Sequence, residues 1–397
     1  MTMAPAKKRN DEQTDGEKGD AIVEVRDLTK VYPDGTVAVE EISFSIDRGD
    51  FCVLIGPSGC GKSTTLHSMV GKFPVTGGTV TLDGEDITDT ETHERDIGLV
   101  FQDFQLFPHL DVEENIRYGL ERLDLPAAEV ERRVSDLTAT MQLEGLLERA
   151  PEELSAGQKQ RVALARSLVL EPKLLLLDEP LGDMDYKLQK RMERELLRIH
   201  REFETTFVYV THDQTQAMRL ADQIVVMNDG KIEQSGTSHE VYNEPATAFV
   251  ATFVGDSDIF TGTVVGLSDD GARARIETEY GRFLASAANL ESEPAEIVGA
   301  EIPFSVRPQY IELSEDKENT LKCEILDVIN QPGAGTQLLL KAHGETDVVS
   351  DLQVKLNEQV DPDGETVTVG WDAEVATMLE RTSVVPDIDL EKDVLGE

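Results

Sequence analysis

The stretch DFCVLIGPSGCGKS, Asp50 to Ser63, decides how the rest of the chain is read. DFCVLI (Asp50–Ile55) is an apolar run bounded by turn formers, which predicts a strand. Gly56, Pro57, Ser58, Gly59, Cys60, Gly61, Lys62 and Ser63 then fit GxxxxGK[ST], and Lys62–Gly71 has helical composition. A glycine loop between a strand and a helix lets backbone N–H groups curl around a phosphate, and the helix N-terminus adds a positive dipole. In that frame Lys62 reaches β- and γ-phosphate oxygens and Ser63 can ligate Mg²⁺. Cys60 reads as a small filler, although a thiol there could make the loop sensitive to oxidation.

Working outward, AIVEVRDL (Ala21–Leu28) predicts another strand, and KLLLLD (Lys173–Asp178) and TTFVYVT (Thr205–Thr211) are continuous apolar runs. Runs without alternation are the pattern of strands covered on both faces of a mainly parallel sheet. Ala127–Met141, Gln158–Leu170 and Tyr186–Phe203 carry helical spacing or composition. The fold class is therefore α/β, with a mostly helical insertion over about 103–172. From about Gly255 the texture changes to short alternating segments such as GTVVGL (Gly262–Leu267), ARARIETEYGRFL (Ala272–Leu284) and ETVTVGW (Glu365–Trp371). DDG, PGAG and DPDG turns separate them, as in a small all-β barrel or sandwich. The expected organisation is a disordered tail over 1–20, a nucleotide-binding domain over 21–255, a β-domain over 256–385 and an acidic tail over 386–397.

The 397 residues include 37 basic and 78 acidic side chains, a net charge of −41. Such a polyanion repels phosphate backbones and anionic lipid, so no nucleic-acid partner is expected and any nucleotide must be held locally. The acidic excess runs along the whole chain. One reading is a basic partner; the favoured one is a cytoplasm of molar salt, where the Debye length shrinks to ~3 Å and self-repulsion is screened, as in salt-adapted archaea. Three widely spaced cysteines, Cys52, Cys60 and Cys323, build neither a disulfide framework nor a CxxC metal site. The longest apolar stretches, around Val162–Leu170 and Leu174–Leu177, fall far short of the ~20 residues of a membrane helix. The N-terminal MTMAPAKKRNDEQTDGEKGD lacks the apolar core of a signal peptide.

LLLLDEP places Asp178 at the carboxyl end of a buried strand, with Glu179 next to it. There Asp178 can hold Mg²⁺ and Glu179 can polarise an attacking water. The bland alternative is a pair of N-cap residues for the following helix. These features indicate a P-loop nucleotidase without separating kinase, GTPase, helicase and transport motor.

LSAGQ (Leu154–Gln158) followed by KQRVALARSL resembles the signature segment of the ABC (ATP-binding cassette) ATPases. Gln102 in VFQDFQLFPHL, LGDMD at Leu181–Asp185 and His212 in YVTHDQTQAM occur in that family's order. The absence of an NKxD guanine-reading motif argues against a GTPase. The resemblance covers about 21–255 and implies roles residue by residue. Tyr32 in KVYPDG would stack on adenine, and the loop from Gly56 through Lys62, Ser63 and Thr64 would hold ATP. Gln102 would join Ser63 and Asp178 around Mg²⁺. Glu179 would be the general base and His212 the switch that hydrogen-bonds the γ-phosphate. Ser155, Ala156, Gly157 and Gln158 would cover ATP bound to a second copy, in a head-to-tail homodimer with Asp185 of the D-loop near the junction. The family mostly has glycine where this chain has Ala156, which adds one methyl group near the phosphate.

FSVRPQYIEL (Phe304–Leu313) and NEPATAFVATFVGDSDIF (Asn243–Phe260) resemble parts of the TOBE domains of importer ATPases. That implies two transmembrane permease subunits and an extracytoplasmic solute-binding protein as partners, and a place on the cytoplasmic membrane face. The OB-like barrel typical of those domains is expected. Phe107, Leu110 and Ile116 are candidate permease contacts. GETVTVGWDAEVATML (Gly364–Leu379) looks most like the spermidine/putrescine branch, with sugar, sulfate or ferric-iron import as alternatives. A soluble ABC ATPase acting on nucleic acid or ribosomes is the rival from another class.

Overall fold

The computed structural model describes residues 21–379 except 183, 269, 289, 291–296, 332, 344–348 and 363, with the side chains of 349 and 350 also outside the description. The expectations for the 1–20 tail, for residues 380–397 and for Asp183 of LGDMD fall outside these residues. The chain divides into two compact units, 1–53 with 59–211 and 229–231, and 54–58 with 212–228 and 232–397.

In the first unit, strands Val37–Asp47, Ala21–Val31, Gly77–Leu82 and Glu85–Asp86 form an antiparallel sheet in that order. Val23 and Val25 are buried, opposite Leu82 and Phe44, while Arg26 is exposed, so period-two alternation fixes which face is core. The unit also holds the parallel strands Ile97–Val100, Leu174–Asp178 and Thr206–Val210, with Leu176 between Leu99 and Val208. All four leucines of LLLLD are buried, as expected for a strand covered on both faces. The strand Phe51–Ile55 starts beside Thr206–Val210. There the Asp50 carbonyl accepts the Phe207 N–H at 3.0 Å, and the Phe51 and Phe207 rings lie 5.4 Å apart.

The insertion is helical, with helices Val112–Arg117, Ala127–Thr140 and Ala156–Leu168. The last starts at Ala156, two residues before the sequence reading places it. Ser155 is the cap, and its N–H donates to Gln158 Oε1 at 2.8 Å. The S-x-x-Q spacing of a capping box marks that start despite Gly157 in the first turn.

In the second unit, strands Asp258–Leu267, Arg273–Thr278, Gly281–Ser286, Ala376–Met378 and Glu301–Val306 close into a barrel in that order. The run ARARIETEYGRFL is a hairpin: Ala274 and Ile276 pair with Ala285 and Phe283, and the chain turns at Glu279 and Tyr280. Inward residues switch from even to odd numbers across this turn. A five-stranded antiparallel sheet accompanies the barrel, in the order Glu312–Leu313, Thr366–Trp371, Asn319–Gln331, Gly335–His343, Val349–Leu356. Phe260, Phe283, Phe304 and Trp371 share one core, with Phe260 5.2 Å from Phe304 and 5.4 Å from Trp371. Buried Asn319 ties the two β-structures by accepting from the Leu284 N–H at 2.6 Å and donating to its carbonyl at 2.9 Å.

Candidate functional site

The loop ahead of helix Lys62–Met69 is shaped by glycine. Gly61 has φ 103°, and a Cβ there would lie 2.5 Å from the Ala38 carbonyl oxygen, so backbone strain and packing both exclude a side chain. Lys62 is only 6 % exposed, with its Nζ 3.7 Å from Cys60 Sγ. Burial pushes the Cys60 thiol up, opposed by the Lys62 charge, and the side chain is buried. It is therefore a neutral, hidden thiol, which does not fit the oxidation-sensitive loop raised from sequence.

Ser63 stands at the start of this helix with its Oγ donating to Asp178 Oδ1 at 3.1 Å, across 115 residues of sequence. Asp178 Oδ2 lies 3.3 Å from His67 Nε2. Burial works to raise the Asp178 carboxyl. His67, Ser63 and the charge of Lys72 outweigh it and hold the group below the usual range, so a carboxylate is maintained. Two hard oxygens thus meet at the mouth of the phosphate loop, the donor chemistry that Mg²⁺ takes together with phosphate and water oxygens. Among the described residues no cluster of three or more His, Cys, Asp or Glu side chains could hold a metal by itself.

Tyr32 caps the hairpin between Ala21–Val31 and Val37–Asp47, and its hydroxyl is 3.2 Å from Thr64 Oγ1. Its ring is half-buried, edge-on to Phe73 at 6.1 Å. Glu179 adopts φ 45°, an uncommon conformation for a residue with a side chain. Its N–H donates to the Val210 carbonyl and its own carbonyl accepts from Gly182, both at 3.1 Å. A Cβ on Gly182 would be 3.5 Å from Gln102 Nε2 and 3.7 Å from Glu179 Oε2, so the side chains of Gln102 and Glu179 converge there. Helix Tyr186–Phe203 begins under the cap of Asp185, which accepts from the N–H groups of Lys187 and Leu188 at 3.1 Å each. Neither Asp178 nor Glu179 caps it, and the bland reading of that pair falls away. His212 is exposed, between strand Thr206–Val210 and helix Gln214–Leu220.

Ser155 and Ala156 are exposed at the start of their helix, while Gly157 is buried. A hollow of about 220 Å³ is lined by Ser155, Gly157, Gln158, Arg161, Arg191 and Glu195 among others, and no residue of the phosphate loop lines it. The exposed start of the signature helix and this hollow thus lie apart from the residues of the phosphate loop that the same chain supplies.

Two features escaped the sequence reading. His67 lies one helical turn after Ser63, a spacing that puts both on the Asp178 side. Arg95, 8 % exposed, donates to the carbonyls of Met69 at 2.7 Å, Thr88 at 2.9 Å and Thr90 at 2.9 Å. It thereby places a cation at the carbonyl end of the phosphate-loop helix. Nothing in THERD marks it. Of the three candidate permease contacts, Ile116 is fully buried and belongs to the insertion's core. Phe107 and Leu110 are half-buried, and Phe107 stacks 4.4 Å from Tyr118.

A family profile described as ABC transporter matches residues 39–182, and one described as TOBE domain matches residues 304–379. The spermidine/putrescine import ATP-binding protein PotA of Rubrobacter xylanophilus is 42% identical over 351 residues, spanning 88% of this chain and 92% of that protein. The sn-glycerol-3-phosphate import ATP-binding protein UgpC of Psychromonas ingrahamii is 40% identical over 325 residues, spanning 81% of this chain and 87% of that one. Among solved structures, cbiO1 of Clostridium perfringens, part of the ABC transporter complex cbiONQ, superposes with a TM-score of 0.53 at 32% identity. It covers 57% of this chain and 92% of that chain. Together with the phosphate loop, the Ser63–Asp178 pair and the exposed signature helix, these matches show that the chain belongs to the importer-type ABC transporter ATP-binding proteins carrying a TOBE domain.

Proposed function

We propose that this chain binds ATP with Mg²⁺ as a head-to-tail homodimer and couples hydrolysis to solute uptake through two membrane permeases. The observation that carries the reading is the division of labour within one chain. A buried lysine and two oxygen donors form one half of a phosphate site, while an exposed helix end supplies donors elsewhere. Lys62 would screen the β- and γ-phosphate oxygens, and Ser63, Asp178 and Gln102 would hold the metal. Mg²⁺ contributes neutralisation of phosphate charge. Glu179 would take a proton from the attacking water, His212 would orient the γ-phosphate, and Tyr32 would stack on the adenine. Ser155, Ala156, Gly157 and Gln158 would close on the triphosphate of the partner copy, with Asp185 near the junction.

Spermidine or putrescine is the favoured solute, because the PotA relatives match most of the chain, and the UgpC match keeps a glycerol phosphate as the second reading. An extracytoplasmic binding protein would complete the system. The ATPase domain would run to about residue 255, with the β-domain after it. No described helix is long and apolar enough to cross a membrane. In this reading the permeases supply the pore and the chain sits peripherally on the cytoplasmic face. The test mixes Lys62→Ala chains with Ser155→Arg chains. In a head-to-tail dimer one intact site forms, so ATP hydrolysis of the mixture rises well above that of either variant alone; a mixture no better than its components contradicts the reading. Reconstitution with the neighbouring permease genes and labelled putrescine decides the solute.

The net charge of −41 supports adaptation to molar salt. The melting temperature should fall by roughly 10 °C or more on passing from molar to 0.1 M KCl, where the Debye length grows to about 10 Å. An unchanged melt excludes this.

A further inference from the structure

The second unit holds a buried guanidinium that makes no ion pair among the described residues. Arg307, which follows strand Glu301–Val306, is 6 % exposed. Its Nη2 donates to the Tyr242 carbonyl, and its Cζ lies 3.8 Å from the centre of the Tyr242 ring. Its Nη1 has no hydrogen-bond partner among the described residues. The carboxylate that acts on it from a distance, Asp256, is already paired with Lys355 at 2.9 Å. Gly255 is bare where the guanidinium packs, since a Cβ there would fall on Nη1. The carbonyl end of helix Ala248–Gly255 offsets part of the positive charge but leaves Nη1 unmet. A buried charge without a partner is strongly disfavoured unless something supplies one.

A cavity of about 200 Å³ opens beside it, lined by Arg307, Ser305, Tyr310, Asn243, Thr377 and Glu374 among others. Ser305 is 4 % exposed, so a hydroxyl and a cation are fixed together in the wall. Glu374 sits at the rim, 78 % exposed, with its carboxylate held by Arg273 at 3.0 Å. The volume equals about seven waters at ~30 Å³ each, enough for a tetrahedral anion and below the ~300 Å³ at which pockets for drug-sized ligands begin.

We propose that this cavity binds a small oxyanion, inorganic phosphate or sulfate, with Arg307 supplying the charge and the Ser305, Tyr310 and Thr377 hydroxyls around it. Because Asn243 precedes the helix Ala248–Gly255 and Ser305 and Thr377 lie on neighbouring barrel strands, the anion would stiffen the link between that helix and the barrel. The test is calorimetric titration of the full chain with phosphate, and separately with sulfate, at constant ionic strength in KCl. Saturating ATP with EDTA keeps the phosphate loop filled without turnover. One site per chain for either anion is expected, weakened at least tenfold in Arg307→Gln and severalfold in Ser305→Ala or Tyr310→Phe. Thermal melts report whether each variant is folded; should Arg307→Gln fail to fold, the Ser305 and Tyr310 variants decide. Heats no different from a chloride control, or wild-type affinity in the folded variants, overturn the proposal.

Discussion

Two helix N-termini in this chain look alike on paper and differ in chemistry. Helix Lys62–Met69 begins in a tight glycine turn, buries a lysine and aligns Ser63 with Asp178. Helix Ala156–Leu168 begins in the open, with Ser155 and Ala156 exposed and its capping box closed on itself through Gln158. Both ends carry the dipole that favours an anion. Only the first adds a buried cation and the Ser63 and Asp178 oxygens, so only the first carries the charges that the proposed triphosphate and metal would need. The second can add donors to a phosphate already held elsewhere. An exposed helix end in a chain that carries half of a phosphate site is how one copy can make hydrolysis depend on another.

The largest expected effect is at the first end. Lys62→Ala should lower ATP hydrolysis by about 10²–10³-fold or more, the cost of removing a charge aimed at the reacting phosphate, as read by phosphate release. Retention of a tenth of the activity would erase the contrast between the two ends. Glu179→Gln should reduce turnover by about 10²–10⁴-fold, the share of a general base, while keeping ATP bound and shifting the chain toward dimer in size-exclusion chromatography. Ser155→Arg sharpens the comparison: turnover should fall by about 10²-fold, the lower end of what one displaced donor costs, with ATP affinity of the single chain unchanged by equilibrium dialysis. Loss of affinity in that variant would mean that the second end serves its own loop.

The smallest effect is far from both ends. Burial pushes the Asp258 carboxyl up to about 8, against the backbone hydrogen bond from Gln353. The unfolded group releases its proton near 3.9. Between those values the folded chain holds the extra proton, so this residue's contribution makes stability fall as pH rises from about 4 to 8. Asp258→Asn should flatten that slope and raise Tm near pH 8 by about 2–4 °C for each kcal/mol recovered, with ATP hydrolysis unaltered. A steeper slope in the variant contradicts the assignment.

Legibility in the sequence follows how local the physics is. The phosphate loop is eight contiguous residues whose glycines and lysine each answer a local demand, and it was readable at once. LLLLD was readable because a strand buried on both faces drops its alternation. The Ser63–Asp178 contact spans 115 residues, and only knowledge of the motif pair foretold it. Arg95 left no signal, because its partners are backbone carbonyls that any sequence provides. Ile116 misled because an apolar residue beside an exposed loop reads the same whether it faces a partner or the core; its burial decides for the core. The hairpin inside ARARIETEYGRFL and the helix start at Ser155 had signals, a parity switch and a capping box, that were there to be read.

The central claim is that the phosphate loop of one copy meets the signature helix of another. Chains carrying Glu179→Gln with cysteines at Ser58 and Ala156 should be treated with a cross-linker of about 10 Å reach, with and without ATP, and sized on a denaturing gel. A product of twice the chain mass should form, and only when ATP is present. Cross-linking confined within single chains, or none at all with ATP bound, would contradict the claim.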